Sequence, residues 1–111
     1  MHKHTNDCLQ ETLDLLVLKT LVSRGRMHCY GITLHIEQVS EEILRLEEES
    51  LYPALHRMTQ AGWLHFVWGV SENNRRARYY SITTAGRKQL ADEEQSWAAL
   101  TGAVSRVLQF S

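Results

Sequence analysis

Ser50-Leu51-Tyr52-Pro53-Ala54-Leu55-His56-Arg57-Met58-Thr59-Gln60-Ala61-Gly62 is the stretch on which the fold of this chain turns. Leu51, Ala54, Leu55 and Met58 recur at i, i+3, i+4 and i+7, the spacing of one buried helix face. Ser50 suits the N-cap, and Pro53 is expected in the first turn, where a missing N–H costs little. Gly62 is a common residue just past a last turn. This leaves Tyr52, Pro53, His56, Arg57 and Gln60 on the outward face. An ordinary solvated face seldom carries tyrosine and proline side by side, so the helix is expected to present them to another molecule.

Working toward the C-terminus, two strand-like runs, Trp63 to Val70 and Ala77 to Thr83, flank Ser71-Glu72-Asn73-Asn74-Arg75, a turn-forming loop of hairpin length. From Thr84 to about Gln109 the pattern is one long helix opened by Thr83-Thr84, roughly 39 Å long at ~1.5 Å per residue. Leu90, Trp97 and Val104 stand seven apart, as do Leu100 and Val107, a near-heptad stripe that needs a partner, although Glu93 interrupts its second row. Toward the N-terminus, Tyr30 to Val39 reads as a helix with Ile32, Ile36 and Val39 at i, i+4 and i+7. Leu9 to Val22 is a helix with apolar residues on more than one side, suited to core and subunit contact together. Ile43-Leu44-Arg45-Leu46 is read as a very short strand.

Composition sets the bounds. The chain has 111 residues, 43% of them apolar, enough for one small domain with a core. No run reaches the roughly 18 apolar residues of a membrane span, and the polar start at Met1–Asp7 is unlike a signal peptide, so a cytoplasmic protein without membrane contact is expected. The net charge of −1 conceals an uneven distribution. Between Glu72 and Lys88 one acid faces Arg75, Arg76, Arg78, Arg87 and Lys88, a local net of +4. Between Glu37 and Glu49, six glutamates face Arg45, a local net of −5. A phosphate backbone meets the local patch and not the total.

The fold class is therefore mainly α with a small β-hairpin. Three helices followed by a basic-tipped hairpin define a winged helix-turn-helix, whose second motif helix enters the major groove while the hairpin reaches the backbone or minor groove. Residues 1–83 are expected to form this DNA-binding domain and residues 84–111 a C-terminal dimerisation helix. Dimer contacts are assigned to Leu13, Leu16, Val17, Leu90, Trp97, Leu100, Val104 and Val107, with Trp97 serving either the dimer core or the wall of an effector pocket. Ser50, Tyr52, Pro53, His56 and Arg57 are assigned to DNA from the helix, and Arg75, Arg76 and Arg78 from the hairpin.

The stretch Glu48–Arg57 resembles the recognition-helix signature of the PadR family of bacterial regulators. So do Met27–Ile32, Trp68-Gly69, Asn73–Tyr80 and Thr83–Arg87, in the right order along nearly the whole chain. The resemblance implies a homodimer, usually a repressor, joined by its C-terminal helix, on a palindromic operator in double-stranded DNA. It also implies release of many members by a small, often aromatic, effector. Tyr30, in the matching stretch of the second helix, joins the DNA-binding set. Cys29 and Glu49 stand where the family usually has glycine. Glu49 either stabilises the helix dipole or accepts a hydrogen bond from a cytosine amino group.

Other chemistry is not expected. Six histidines (His2, His4, His28, His35, His56, His65) and two cysteines (Cys8, Cys29) show no metal-ligand spacing. No nucleophile motif, phosphate loop or isolated carboxylate pair points to an enzyme, and no cofactor is implied. The alternatives are a winged helix that docks protein, which would not need three wing arginines, and a regulator responding to thiol oxidation or metal through Cys8 and Cys29.

Overall fold

The structure, a computed structural model, describes residues 5–110, with side chains from residue 11 onward. His2, His4 and the Cys8 thiol lie outside the described residues. The elements follow as α1 (Thr5–Arg24), α2 (Cys29–Val39), α3 (Glu48–Gln60), β1 (Leu64–Val70), β2 (Arg76–Ile82) and α4 (Thr84–Gln109). No helix among the described residues is long and apolar enough to cross a membrane.

The apolar character of α1 on several sides has a direct cause: this helix is the axis of the core. Val17, Leu18 and Leu21 are fully buried against Ile32 and Ile36 of α2, Leu51, Leu55 and Met58 of α3, Leu64 and Tyr80 of the hairpin and Leu90 of α4, and Leu13 and Leu16 pack half-buried at the edge. Two residues assigned to the dimer, Val17 and Leu90, thus belong to the core of a single chain, at 0% and 5% exposed. Leu90 lies less than two turns into α4, before that helix has left the body.

Where α4 begins, Thr83 caps it: its Oγ1 accepts from the Gly86 N–H at 3.0 Å and donates to the Gly62 carbonyl at 2.6 Å. A Cβ on Gly86 would collide with the Trp63 carbonyl, so only glycine allows the first turn of α4 to press on the start of β1. Further along, Lys19 of α1 pairs with Glu94 at 3.1 Å. Beyond that pair α4 projects from the body, and the molecule measures 54 × 29 × 28 Å, with Trp97, Leu100, Val104 and Val107 between 45% and 68% exposed.

Three local expectations are corrected. Ile43–Leu46 forms no strand: Ile43 is 82% exposed, and the segment is an irregular bend that follows the turn at Ser40–Glu42. The extra pairing comes instead from Met27, which exchanges backbone bonds with Tyr80 at 3.1 and 2.8 Å. Ser50 is not the N-cap of α3; Glu47 holds that position, three residues earlier, and the helix starts at Glu48. Glutamate is a good helix former and its charge favours a helix N-terminus, so Glu48 and Glu49 extend the helix backward. Pro53 consequently falls beyond the first turn, where it removes a backbone hydrogen bond from the helix interior.

Candidate nucleic-acid interface

Three elements converge on one cleft of about 1340 Å³: the start of α2, the outward face of α3 and the hairpin. From α3 it receives Tyr52, Pro53 and His56, all exposed, with Glu48 and Glu49 at the helix start. Tyr30 of α2 closes one end, and Trp68, Arg75, Arg76 and Arg78 form the opposite wall. Ser50 is exposed on the first turn of α3.

The hairpin wall follows from strand periodicity. The register pairs Phe66 with Tyr80, Trp68 with Arg78 and Val70 with Arg76, which places these six side chains on one face. Tyr80 is buried and anchors that face to the core. Arg76 lies 4.2 Å over the Trp68 ring, and Arg78 sits 4.9 Å from the Phe66 centroid and 5.3 Å from that of Trp68. The loop closes through bonds from the Ser71 N–H to Arg75 at 2.8 Å and from the Asn74 N–H to Ser71 at 2.9 Å. Asn74 takes a left-handed conformation (φ 60°), which asparagine tolerates. Rings stacked beneath two guanidinium groups restrict their rotamers while leaving the charges available to an anion.

The hairpin is also tied to α2. His28 caps α2, its Nδ1 accepting from the Gly31 N–H at 2.9 Å, and its ring packs 5.1 Å from that of Tyr79. Tyr79 in turn donates to the Val70 carbonyl at 3.2 Å.

Cys29 is buried beneath this site. Burial, then the charge of Glu48, push its thiol up to about 12, against a lowering by its hydrogen bond with Tyr52. Burial and the adjoining Cys29 and Glu48 likewise raise the Tyr52 phenol. Tyr52 thus lies beside the Cys29 thiol and also lines the cleft.

Arg57 departs from the expectation. Its guanidinium turns from the cleft to Asp14 of α1, with hydrogen bonds of 3.0 and 2.6 Å to the two carboxylate oxygens. Reading the sequence missed Asp14 as a partner, although an acid set among Leu13, Leu15 and Leu16 on a buried helix was the available signal. It also missed Trp68 as the platform for the wing arginines. Strand alternation could have found that, since Trp68 and Arg78 fall opposite one another once the loop is fixed.

Three helices packed on one another, the third presenting its outer face beside a basic two-stranded hairpin, make this a winged helix-turn-helix protein. The chain belongs to the transcriptional regulator PadR-like family, whose sequence model matches residues 17–92, and it is a transcriptional regulator of that family. Among solved structures it is similar to a transcriptional regulator from Clostridium thermocellum, with 25% identity, TM-score 0.80, and 90% of this chain and 96% of that one covered. It is also similar to PadR family regulators from Clostridium difficile (26% identity, TM-score 0.70, 86% and 97% covered) and Eggerthella lenta (25%, TM-score 0.75, 95% and 88%). An uncharacterised protein X of Lysinibacillus sphaericus is 23% identical over 84% of each chain. An uncharacterised 37.1 kDa transposon protein of Streptomyces fradiae is 38% identical over 90% of this chain, which spans only 26% of that protein's length.

Proposed function

We propose that this regulator binds duplex DNA in the cytoplasm as a homodimer and represses transcription by occupying a palindromic operator. The observation that carries the reading is the single cleft in which the exposed face of α3 confronts the arginine-bearing wing. Helix α3 would enter the major groove, with Tyr52, Pro53 and His56 toward base edges and Ser50 and Tyr30 toward the backbone. Arg75, Arg76 and Arg78 would meet flanking phosphates, where each contact releases counterions.

Residues 1–83 supply this binding unit. The exposed stripe of α4 within residues 84–111 supports pairing with a second copy through Trp97, Leu100, Val104 and Val107. A small aromatic effector would be taken up beside Trp97, where two subunits meet and ligand sites commonly form. A buried thiol held up to about 12 carries almost no thiolate at neutral pH, which counts against sensing through Cys29.

Selection of bound sequences from a random duplex library tests the proposal. Two inverted half-sites with centres about 34–36 Å apart are expected. A library that yields no enriched duplex would overturn it.

A further inference from the structure

The outward face of α3 must be held at a fixed angle to read a groove, yet the helix carries no ion pair toward the wing side among the described residues. A charged tie of α3 runs the other way, to α1. Asp14 is buried, at 3% exposed, in the middle of α1, and both of its carboxylate oxygens are engaged by Arg57 across 43 residues of sequence. A fork-to-fork pair fixes orientation as well as distance, because the guanidinium and carboxylate planes must align. The Asp14 contact raises the Arg57 guanidinium further, so Arg57 is charged at any working pH.

Helix α4 reaches the same cluster. The carboxyl of Glu93 is raised, first by burial and then by the neighbouring charges of Asp14 and Glu11, against lowering by a hydrogen bond from Gln89 and by Arg57. Gln89 Nε2 donates to Glu93 Oε2 at 2.9 Å. One guanidinium on α3 therefore lies in the field of acids from α1 and α4, the helices that carry the core and the exposed apolar stripe.

Resting on the DNA-binding reading above, we propose that Arg57 does not touch DNA and instead acts with Asp14 as a positioning pair that sets the angle of α3 in the groove. Removing either partner leaves α3 attached through Leu51, Leu55 and Met58 but free to rock about that apolar seam. The consequence is poorer discrimination among sequences, with the attraction to phosphates unchanged.

The test uses the full chain, a duplex selected by it from a random library, and a scrambled duplex of equal length. Asp14→Asn, Arg57→Gln, the double variant and Arg57→Lys are compared at temperatures where each is folded by circular dichroism. Arg57→Lys keeps a paired charge on α3, so it covers the case in which a neutralised variant fails to fold. The expected result is that Arg57→Lys and each foldable single variant lower the preference for the selected duplex about tenfold or more. The double variant should lose no more than the worse single one, and the dependence of log K on log salt should keep its slope. Arg57→Gln flattening that slope by ~0.9 while Asp14→Asn leaves preference intact would show a direct phosphate contact and overturn the assignment. Full preference in Arg57→Lys with an unchanged slope would overturn it as well. If the parent chain selects no duplex, the DNA-binding reading fails first and the positioning role falls with it.

Discussion

Arg76 and Trp68 are stacked: the guanidinium carbon stands 4.2 Å from the indole centroid, on the hairpin face that looks across the cleft at α3. A half-exposed indole has no core to fill here, so its contribution is to hold that cation in place. A cation–π contact at such a site contributes ~0.5–1 kcal/mol, or about two- to fivefold in binding if the stacked rotamer is the one that meets phosphate. Trp68→Ala should therefore weaken binding to all duplexes by about that factor, with little change in thermal stability. Replacing Arg75 and Arg76 by alanine should do more, flattening the salt dependence of log K by ~0.9 for each phosphate no longer neutralised. An unchanged slope in the double alanine variant, measured by fluorescence anisotropy across a salt series, would remove the wing from the interface.

The outward face of α3 makes a different kind of prediction. His56 is exposed and Tyr52 half-exposed, whereas Leu51, Leu55 and Met58 beneath them are fully buried. His56→Ala and Tyr52→Ala should reduce discrimination between the selected and scrambled duplexes while leaving most of the nonspecific affinity. His56→Ala should stay within about 0.5 kcal/mol of the parent, as surface substitutions usually do. Tyr52→Ala loses somewhat more, because about half of the Tyr52 surface is covered by the body of the domain. If both variants melt far below the parent, the two side chains are structural.

Much of this arrangement was legible in residue order. The i, i+3, i+4, i+7 pattern of Leu51, Ala54, Leu55 and Met58 identified the buried face of α3, and the polar loop Ser71–Arg75 located the turn of the hairpin. What stayed hidden were the long-range polar pairings. Nothing within α3 shows that Arg57 faces Asp14, because i+3 and i+4 spacing places Arg57 at the border between the two faces and its long side chain reaches either way. Leu90 was misassigned for a related reason. Heptad spacing records which side of α4 is apolar, not how far along it the body of the domain extends. The misread strand at Ile43–Leu46 had apolar residues but no partner strand to pair with.

The ends of α2 and α3 are built alike from unlike residues. In α3, Trp63 N–H bonds to Met58 and Gly62 N–H to Thr59, with Gly62 left-handed (φ 86°). In α2, Glu42 N–H bonds to Glu37 and Glu41 N–H to Gln38, but Glu41 (φ 54°) stands where α3 has its glycine, and Glu42 after it is left-handed as well (φ 67°). This motif ordinarily takes glycine there, since a Cβ in that conformation costs ~1–2 kcal/mol. Allowing for the extra freedom glycine has when unfolded, Glu41→Gly should stabilise the chain by about 0.5–1 kcal/mol. Thermal unfolding at one fixed protein concentration should show a rise of several degrees, and a fall would contradict the assigned geometry.

Cys29 yields a prediction with a defined sign. Its thiol is raised from 9.0 to about 12 in the folded chain, so folding favours the protonated form. That contribution is complete below pH ~9 and is lost as pH rises from there toward 12. At neutral pH a Cys8→Ser chain should react with iodoacetamide only as fast as it unfolds, and adding denaturant should speed the reaction sharply. Rapid labelling of the native protein would show that the thiol is accessible.

Assembly rests on the far half of α4. Trp97, Leu100, Val104 and Val107 lie at i, i+3, i+7 and i+10 and so share one side of a helix that has already left the body. Fully burying such side chains is worth roughly 1.5–3 kcal/mol each, and the single chain leaves all four exposed. A second copy related by two-fold symmetry presents the same stripe and can cover it, and that symmetry would also carry two α3 helices to a palindrome. Leu13 and Leu16, half-buried on the neighbouring α1, can extend the contact, whereas Val17 and Leu90 are already committed to the core. Trp97→Lys together with Val104→Glu should therefore yield a monomer that keeps its helical content, because neither residue supports the core. Removal of Ser96–Ser111 should do the same or destabilise the chain further. Either change should abolish cooperative binding to a two-half-site duplex. Sedimentation velocity on the parent and both variants distinguishes the cases: a parent chain that remains monomeric at micromolar concentration, yet binds its selected duplex tightly, would rule out the dimer.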